Sequence, residues 1–168
     1  MSLKIGIIII PGIAGFDIRQ TYDPILARTL LRTKSGNGIA QSRWSKIRST
    51  ISGSGWEPAA LDAIDFGIMH DVHCVEPLSA YGATTTITIP HSFRSDTGYT
   101  VQAAALVADE LVNTPVSMAG QVATLTAVAG AMQYQVIYFP IITGLLTVKK
   151  SGDVDNQVRS WTIELEEQ

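Results

Sequence analysis

The stretch "HDVHC" gathers the chain's densest set of metal- and proton-active side chains: His70, Asp71, His73 and Cys74. Imidazole, carboxylate and thiolate are zinc ligands, and a zinc site needs them to converge on one point. The run reads as a strand, in which successive side chains alternate faces. His70 and Cys74 then share one face while Asp71 and His73 take the other, so the four cannot meet without a bend. No CxxC or HExxH spacing accompanies them, and neither a metal nor a cofactor is expected.

Other constellations fail in similar ways. Cys74 with His91 would have the composition of a thiolate pair, yet a lone cysteine in a strand is ordinarily a small core hydrophobe. "SGSG", Ser52–Gly55, lacks the frame of a nucleophile elbow, and its glycines fit neither a dinucleotide loop nor a P-loop; they read as a bend or bulge. Asp62 and Asp65 in "LDAID" are spaced for one helical turn but have no identifiable substrate-facing partner, so charge at a helix start explains them more simply than acid–base catalysis. No enzymatic activity is expected.

The charge layout is more informative. Seven of the twelve Lys and Arg residues fall between Arg19 and Arg48, where Asp23 is the only acid. Asp153, Asp155, Glu164, Glu166 and Glu167 crowd the other end, countered by Arg159. A basic segment and an acidic one on a small protein can pair within the chain or head to tail between copies, or stand as separately solvated faces. The residues expected to bind a partner are therefore Arg28, Arg32, Lys34, Arg43, Lys46 and Arg48, with Glu164, Glu166 and Glu167 as their complement.

The elements that must carry these residues are mostly strands. "LKIGIIIIP" places Lys4 before an apolar run, as in a secretory signal, but the run is short, Pro11 breaks it and no A-x-A site follows. A buried N-terminal strand is the expectation. Ser35-Gly36-Asn37-Gly38 is a turn signal between two extendable runs, predicting a long, protruding hairpin over 25–52 with Ile25–Lys34 paired to Ile39–Ser52. Leu26, Leu30 and Leu31 also fit helical spacing, so a helix over Ile25–Arg32 is the rival. Pro58 is placed to open a short helical turn reaching Asp65.

Strands are further expected over Ile68–Pro77 and over Ala83–Pro90, with Thr85, Ile87 and Ile89 on one face. "HSFRSDTG", His91–Gly98, reads as a polar loop. From Tyr99 onward strands and turns alternate, with "DELVNTP" as a connection. Tyr134, Val136 and Tyr138 share one face, opposite Gln133, Gln135, Ile137 and Phe139. Trp161, Ile163 and Leu165 share another. This spacing predicts a mainly β fold, an immunoglobulin-like β-sandwich or partly closed barrel with at most short helices. Residues 99–168 are its expected strand-rich portion.

Composition sets the bounds. A chain of 168 residues is expected to form a single domain over 1–168 and can bury roughly 70% of its unfolded surface. With one cysteine, no intrachain disulfide can form, so packing must hold the fold. Charged residues make up only 16% and apolar ones 46%, a balance suited to a subunit that hides surface against neighbours. A net charge of −3 argues against general nucleic-acid affinity, and no stretch approaches the ~20 apolar residues of a membrane-spanning helix.

Two segments carry a resemblance. "RWSKIRSTISGSGWEPAALDAIDFG" and "ALVADELVNTPVSMAGQVATLTAVAGAMQYQVIYFP" resemble parts of small bacteriophage tail proteins, and "SWTIELEE" is similar to the closing strand of many of them. The "V-x-G-A-x-x-Y-x-V-x-Y" portion is similar to a strand pair of fibronectin type III modules. The resemblance implies a structural virion part, assembled in the host cytoplasm and present in several copies around the tail axis. Its place would be the baseplate, joining the hub or tube to sheath or wedge proteins, as in ripcord-type fasteners. It implies no catalytic residue. A distal-tail or tube-initiator ring protein is the neighbouring alternative. A carbohydrate-binding β-sandwich using Trp44, Trp56 and the tyrosines as a stacking platform is the rival from another class.

Overall fold

Period-two alternation puts one side of each apolar run into a core and the other toward water, and the runs accordingly become strands. A computed structural model describes residues 2–12, 17–55, 61–153 and 158–168. In chain order its strands are β1 (Ser2–Ile5), β2 (Ile8–Pro11), β3 (Arg19–Arg32), β4 (Gly38–Gly55), β5 (His70–His73), β6 (Leu78–Gly82), β7 (Thr86–Thr88) and β8 (Ser92–Phe93). They continue as β9 (Gln102–Val107), β10 (Glu110–Asn113), β11 (Val116–Ala119), β12 (Val122–Leu125), β13 (Ala131–Tyr138), β14 (Pro140–Asp153) and β15 (Val158–Glu167). Among the described residues the only helical element is a single 3-10 turn, Leu61–Ala63, so the rival helix over Ile25–Arg32 does not form. The fold is mainly β and sandwich-like, with several antiparallel sheets.

The chain divides into two compact units, residues 1–13 with 71–142, and residues 14–70 with 143–168. The first contains a two-sheet sandwich. A four-stranded sheet, β10-β9-β13-β6, faces a three-stranded one, β11-β12-β7. Between them lie Ile87, Ile89, Ala105, Leu125, Val136 and Tyr138. Ala105 stands opposite Tyr134 and Ala103 opposite Val136, so small and large side chains alternate across neighbouring strands. In immunoglobulin sandwiches strands B, E and D lie in order in one sheet, and C and F are neighbours in the other. Here β7, β12 and β11 follow the first order, β9 and β13 the second, and β6 takes the place of G.

"DELVNTP" is not a plain connection: Glu110–Asn113 forms β10 in a tight hairpin with β9, turned at Ala108 and Asp109 with φ of 46° and 69°. The N-terminal run also differs from expectation. Gly6, at φ 54°, turns it into the hairpin β1–β2 rather than one buried strand. Leu3, Ile5 and Ile10 are buried while Ile7 is 98% exposed. Alternation was hidden because the exposed positions are also isoleucine.

In the second unit β14, β15, β4 and β3 are antiparallel neighbours in that order, as part of an eight-stranded sheet. One face is buried and carries Leu146, Leu165 and Ser49 in one row, with Ile163 and Ile51 in the next. Gln20 Nε2 donates to Ser49 Oγ at 2.8 Å, and Ser49 Oγ donates to the Thr21 carbonyl at 3.1 Å. These buried polar groups are thereby satisfied, and they fix the β3–β4 register. A Cβ on Gly144 would overlap the Glu166 carbonyl, and one on Gly53 would overlap the Trp161 ring. Both positions require glycine for that reason.

Candidate functional site

The β3–β4 hairpin is the longest pairing in the second unit. Its turn closes where Gly36 N donates to the Thr33 carbonyl and Thr33 N to the Asn37 carbonyl, both at 2.9 Å, with Gly36 at φ 86°. β15 supports β4 only from Gly55 to Arg48. From Ile47 to the tip, β4 pairs with β3 alone, so this outer part is a two-stranded ribbon, an element marginal by itself in water. A register shift between Leu26 and Arg28 sets Arg43 and Trp44 against Ala27 as a bulge.

Along the ribbon Leu26, Leu30, Leu31, Ile39 and Trp44 are all exposed, Leu30 to 59% and Trp44 to 49%. Ribbons that face only water are not built with large apolar side chains in this density.

The basic residues separate into two groups. At the base, Arg48 Nε and Nη2 both donate to Glu166 Oε1, the first at 3.1 Å, and Lys46 Nζ donates to the Gln168 carbonyl. Glu167 Oε2 accepts from the Ile47 amide at 2.8 Å. Glu164 accepts from Lys149 Nζ at 2.9 Å, and that ammonium holds its carboxyl below the ordinary carboxylate range. The acidic residues of β15 are thus placed between cations of β14 and β4. Toward the tip, Arg32 Nη1 reaches only the Gly36 carbonyl at 3.3 Å, and among the described residues Lys34 and Arg43 form no ion pair. The Arg28 and Asp153 side chains, and Trp56, Pro58 and Asp155, lie outside the described residues.

The remaining candidates are engaged elsewhere. His70 Nε2 lies 2.7 Å from the Asp65 carbonyl, and Cys74 is buried with Sγ 3.7 Å from the Val72 carbonyl. Among the described residues no three His, Cys, Asp or Glu side chains gather as metal ligands. Asp62 pairs with Lys150, while Asp65 Oδ1 accepts from the Gly67 amide, as a turn residue does. His91 Nδ1 is 3.3 Å from the Tyr138 hydroxyl. Of the stacking-platform candidates, Trp44 and Tyr81 are exposed, while Tyr99, Tyr134 and Tyr138 are buried.

Sequence reasoning missed Arg94. "HSFRSDTG" reads as a polar loop, yet the Arg94 side chain is fully buried. Its Nε and Nη2 form a fork on the Asp96 carboxylate at 3.0 and 2.6 Å, and Nη1 donates to the carbonyls of Ser2, His73 and Cys74 at 2.9 to 3.1 Å. The Tyr99 ring covers the guanidinium at 3.3 Å, and its hydroxyl donates to the Ser2 carbonyl at 2.9 Å. Lys4 adds a second cation to Asp96 at 3.1 Å. The available signal was Arg-x-Asp followed by Tyr, a cation and an acid close enough to pair within their own loop. Its bonds are all spent on the protein, so it acts as a clamp joining separate stretches of backbone.

No family model, curated protein or solved structure matches the chain.

Proposed function

We propose that this protein is a structural component of a bacteriophage tail baseplate, which uses the β3–β4 ribbon to fasten the hub or tube to surrounding proteins. The observation that carries an assembly role is the ribbon itself: exposed Leu26, Leu30, Leu31, Ile39 and Trp44 beside the tip cations Arg32, Lys34 and Arg43. Such a surface fits a partner with an apolar strip and acidic flanks, because docking covers the leucines and satisfies the cations. The tail setting rests on the resemblance of Arg43–Gly67 and Tyr99–Pro140 to small tail proteins. Multiple copies around the axis, assembled in the host cytoplasm and carried in the virion, belong to the same reading. It requires no enzymatic step.

The test has two parts. Mass spectrometry of purified particles should find the chain in the tail fraction. Reversal of Arg32, Lys34 and Arg43 to Glu should leave a folded protein that no longer enters assembled tails. Absence from purified particles, or normal incorporation of the reversed variant at physiological salt, overturns the reading.

A further inference from the structure

The outward face of the sheet β10-β9-β13-β6 has a chemistry unlike the ribbon's. Register places Tyr81, Gln135, Ala104 and Asn113 in one row across four strands. Gln133, Leu106 and Leu111 form the row beside it, and Ser79, Ile137 and Gln102 the row on the other side. None of these ten positions carries a charge.

Tyr81, Gln133, Gln135, Leu106 and Leu111 line a shallow cleft on this face. Tyr81, 75% exposed, stands at one wall of the cleft with its ring open to a ligand. Ala104 forms a low point between taller neighbours. Gln133 and Gln135 are partly buried residues, and among the described residues neither side chain makes a hydrogen bond. Each amide offers a carbonyl acceptor and an NH2 donor. An amide left open toward a cleft can be met by a ligand that brings both donors and acceptors.

We propose that this cleft binds a neutral oligosaccharide, with the Tyr81 ring stacked on the C–H face of one sugar and the Gln133 and Gln135 amides bonded to hydroxyls. Vicinal hydroxyls match a side-chain amide because each donates and accepts, and an uncharged cleft carries no desolvation cost for ions. Size argues against a second protein copy: the neutral face offers ten side chains, whereas a stable protein–protein interface uses about 20–30 residues on each partner. The site is separate from the β3–β4 ribbon, and its failure would leave the assembly reading standing.

The test is titration of the intact chain with four probes, maltohexaose, chitohexaose, mannohexaose and galactohexaose, followed by amide and side-chain NMR shifts. At least one should bind saturably, shifting the Gln133 and Gln135 side-chain amides. Tyr81→Ala should weaken that binding at least tenfold and Gln135→Ala about fivefold, while Asp62→Asn and Ser117→Ala leave it unchanged. Circular dichroism verifies that each variant is folded, and Tyr81→Phe, which keeps the ring, should bind within about twofold of the original. Three results overturn the proposal: no saturable binding by any probe at about 10 mM, binding indifferent to Tyr81→Ala, or a concentration-dependent dimer that Tyr81→Ala abolishes.

Discussion

Arg94 in the first unit and Arg43 in the second are the same side chain in opposite circumstances. Arg94 is withdrawn from water, with every guanidinium nitrogen bonded to the chain and an aromatic ring over its face. Arg43 stands on an exposed ribbon, beside a half-exposed tryptophan, with no ion pair among the described residues. A buried charge must be fully bonded or it is too costly to keep. An exposed one costs little and stays available. The first kind therefore fixes the fold, while the second leaves it nearly untouched and is free for a partner. Sequence position alone does not distinguish them, since both lie in polar stretches.

Removing the buried charge should have the largest effect. Arg94→Met removes the Arg94 donors from the His73 and Cys74 carbonyls and leaves Asp96 with Lys4 and the Ser2 carbonyl with Tyr99, an expected loss of about 3–5 kcal/mol in urea unfolding. Arg94→Lys should recover only part of it, because an ammonium cannot form the planar fork. A loss below about 1 kcal/mol for Arg94→Met would erase the contrast between the two regions.

The second unit has its own rigid point against which the ribbon can be judged. At Gly144 a Cβ would meet the Glu166 carbonyl, a backbone atom that cannot swing away. Gly144→Ala should cost about 1–3 kcal/mol through forced strand separation. Gly36→Ala, at the ribbon turn with open space around it, should cost about 1 kcal/mol from its positive φ alone. Equal costs would show that the ribbon is as tightly specified as the sheet beneath it.

Acid should act on the Arg94 clamp rather than on the ribbon. The Arg94 hydrogen bonds, and then Lys4, hold the Asp96 carboxyl well below the ordinary carboxylate range, against the opposing effect of burial. A depressed carboxylate contributes stability that is present above the unfolded value near 4 and lost as pH falls toward the folded one. Burial, followed by the charges of Arg94 and Lys4, lowers the His73 imidazole below its ordinary value. The unfolded chain then binds the proton first, so this stability is present above about 6.5 and lost as pH falls through the folded value. Urea midpoints should decline in two steps between pH 7 and pH 2. His73→Gln should remove the upper step and Asp96→Asn should diminish the lower one. A single step unaffected by either variant would place the acid sensitivity elsewhere.

The smallest change in stability belongs to the ribbon tip. Reversing any one of Arg32, Lys34 and Arg43 to Glu should move the urea midpoint by no more than about 0.5 kcal/mol in free energy, the usual limit for an exposed substitution. Reversing Arg48 breaks its bond to Glu166, yet an exposed pair of this kind is worth only ~0.2–1 kcal/mol. A large loss from any tip variant would mean that those cations serve the fold after all.

Strand alternation made much of this molecule legible. Ile87 with Ile89, Tyr134 with Val136 and Tyr138, and Trp161 with Ile163 and Leu165 are buried on the faces their spacing assigned. Gly36 sits at the hairpin turn that the Ser-Gly-Asn-Gly signal marked. These features are local: side-chain alternation and turn conformation depend on a few adjacent residues. The sequence alone also placed the basic residues on the hairpin.

Tertiary structure decided the rest, because each remaining feature joins positions far apart in the chain. Which cations are spent depends on whether a strand 118 residues away brings a carboxylate alongside, as Glu166 does for Arg48 but no described acid does for Arg43. Arg94 becomes a clamp only where folding brings the carbonyls of Ser2, His73 and Cys74 to one point. The neutral face of Tyr81, Gln133 and Gln135 exists only because β6 and β13 pair in one particular register, and a slip of one residue would turn those side chains into the core.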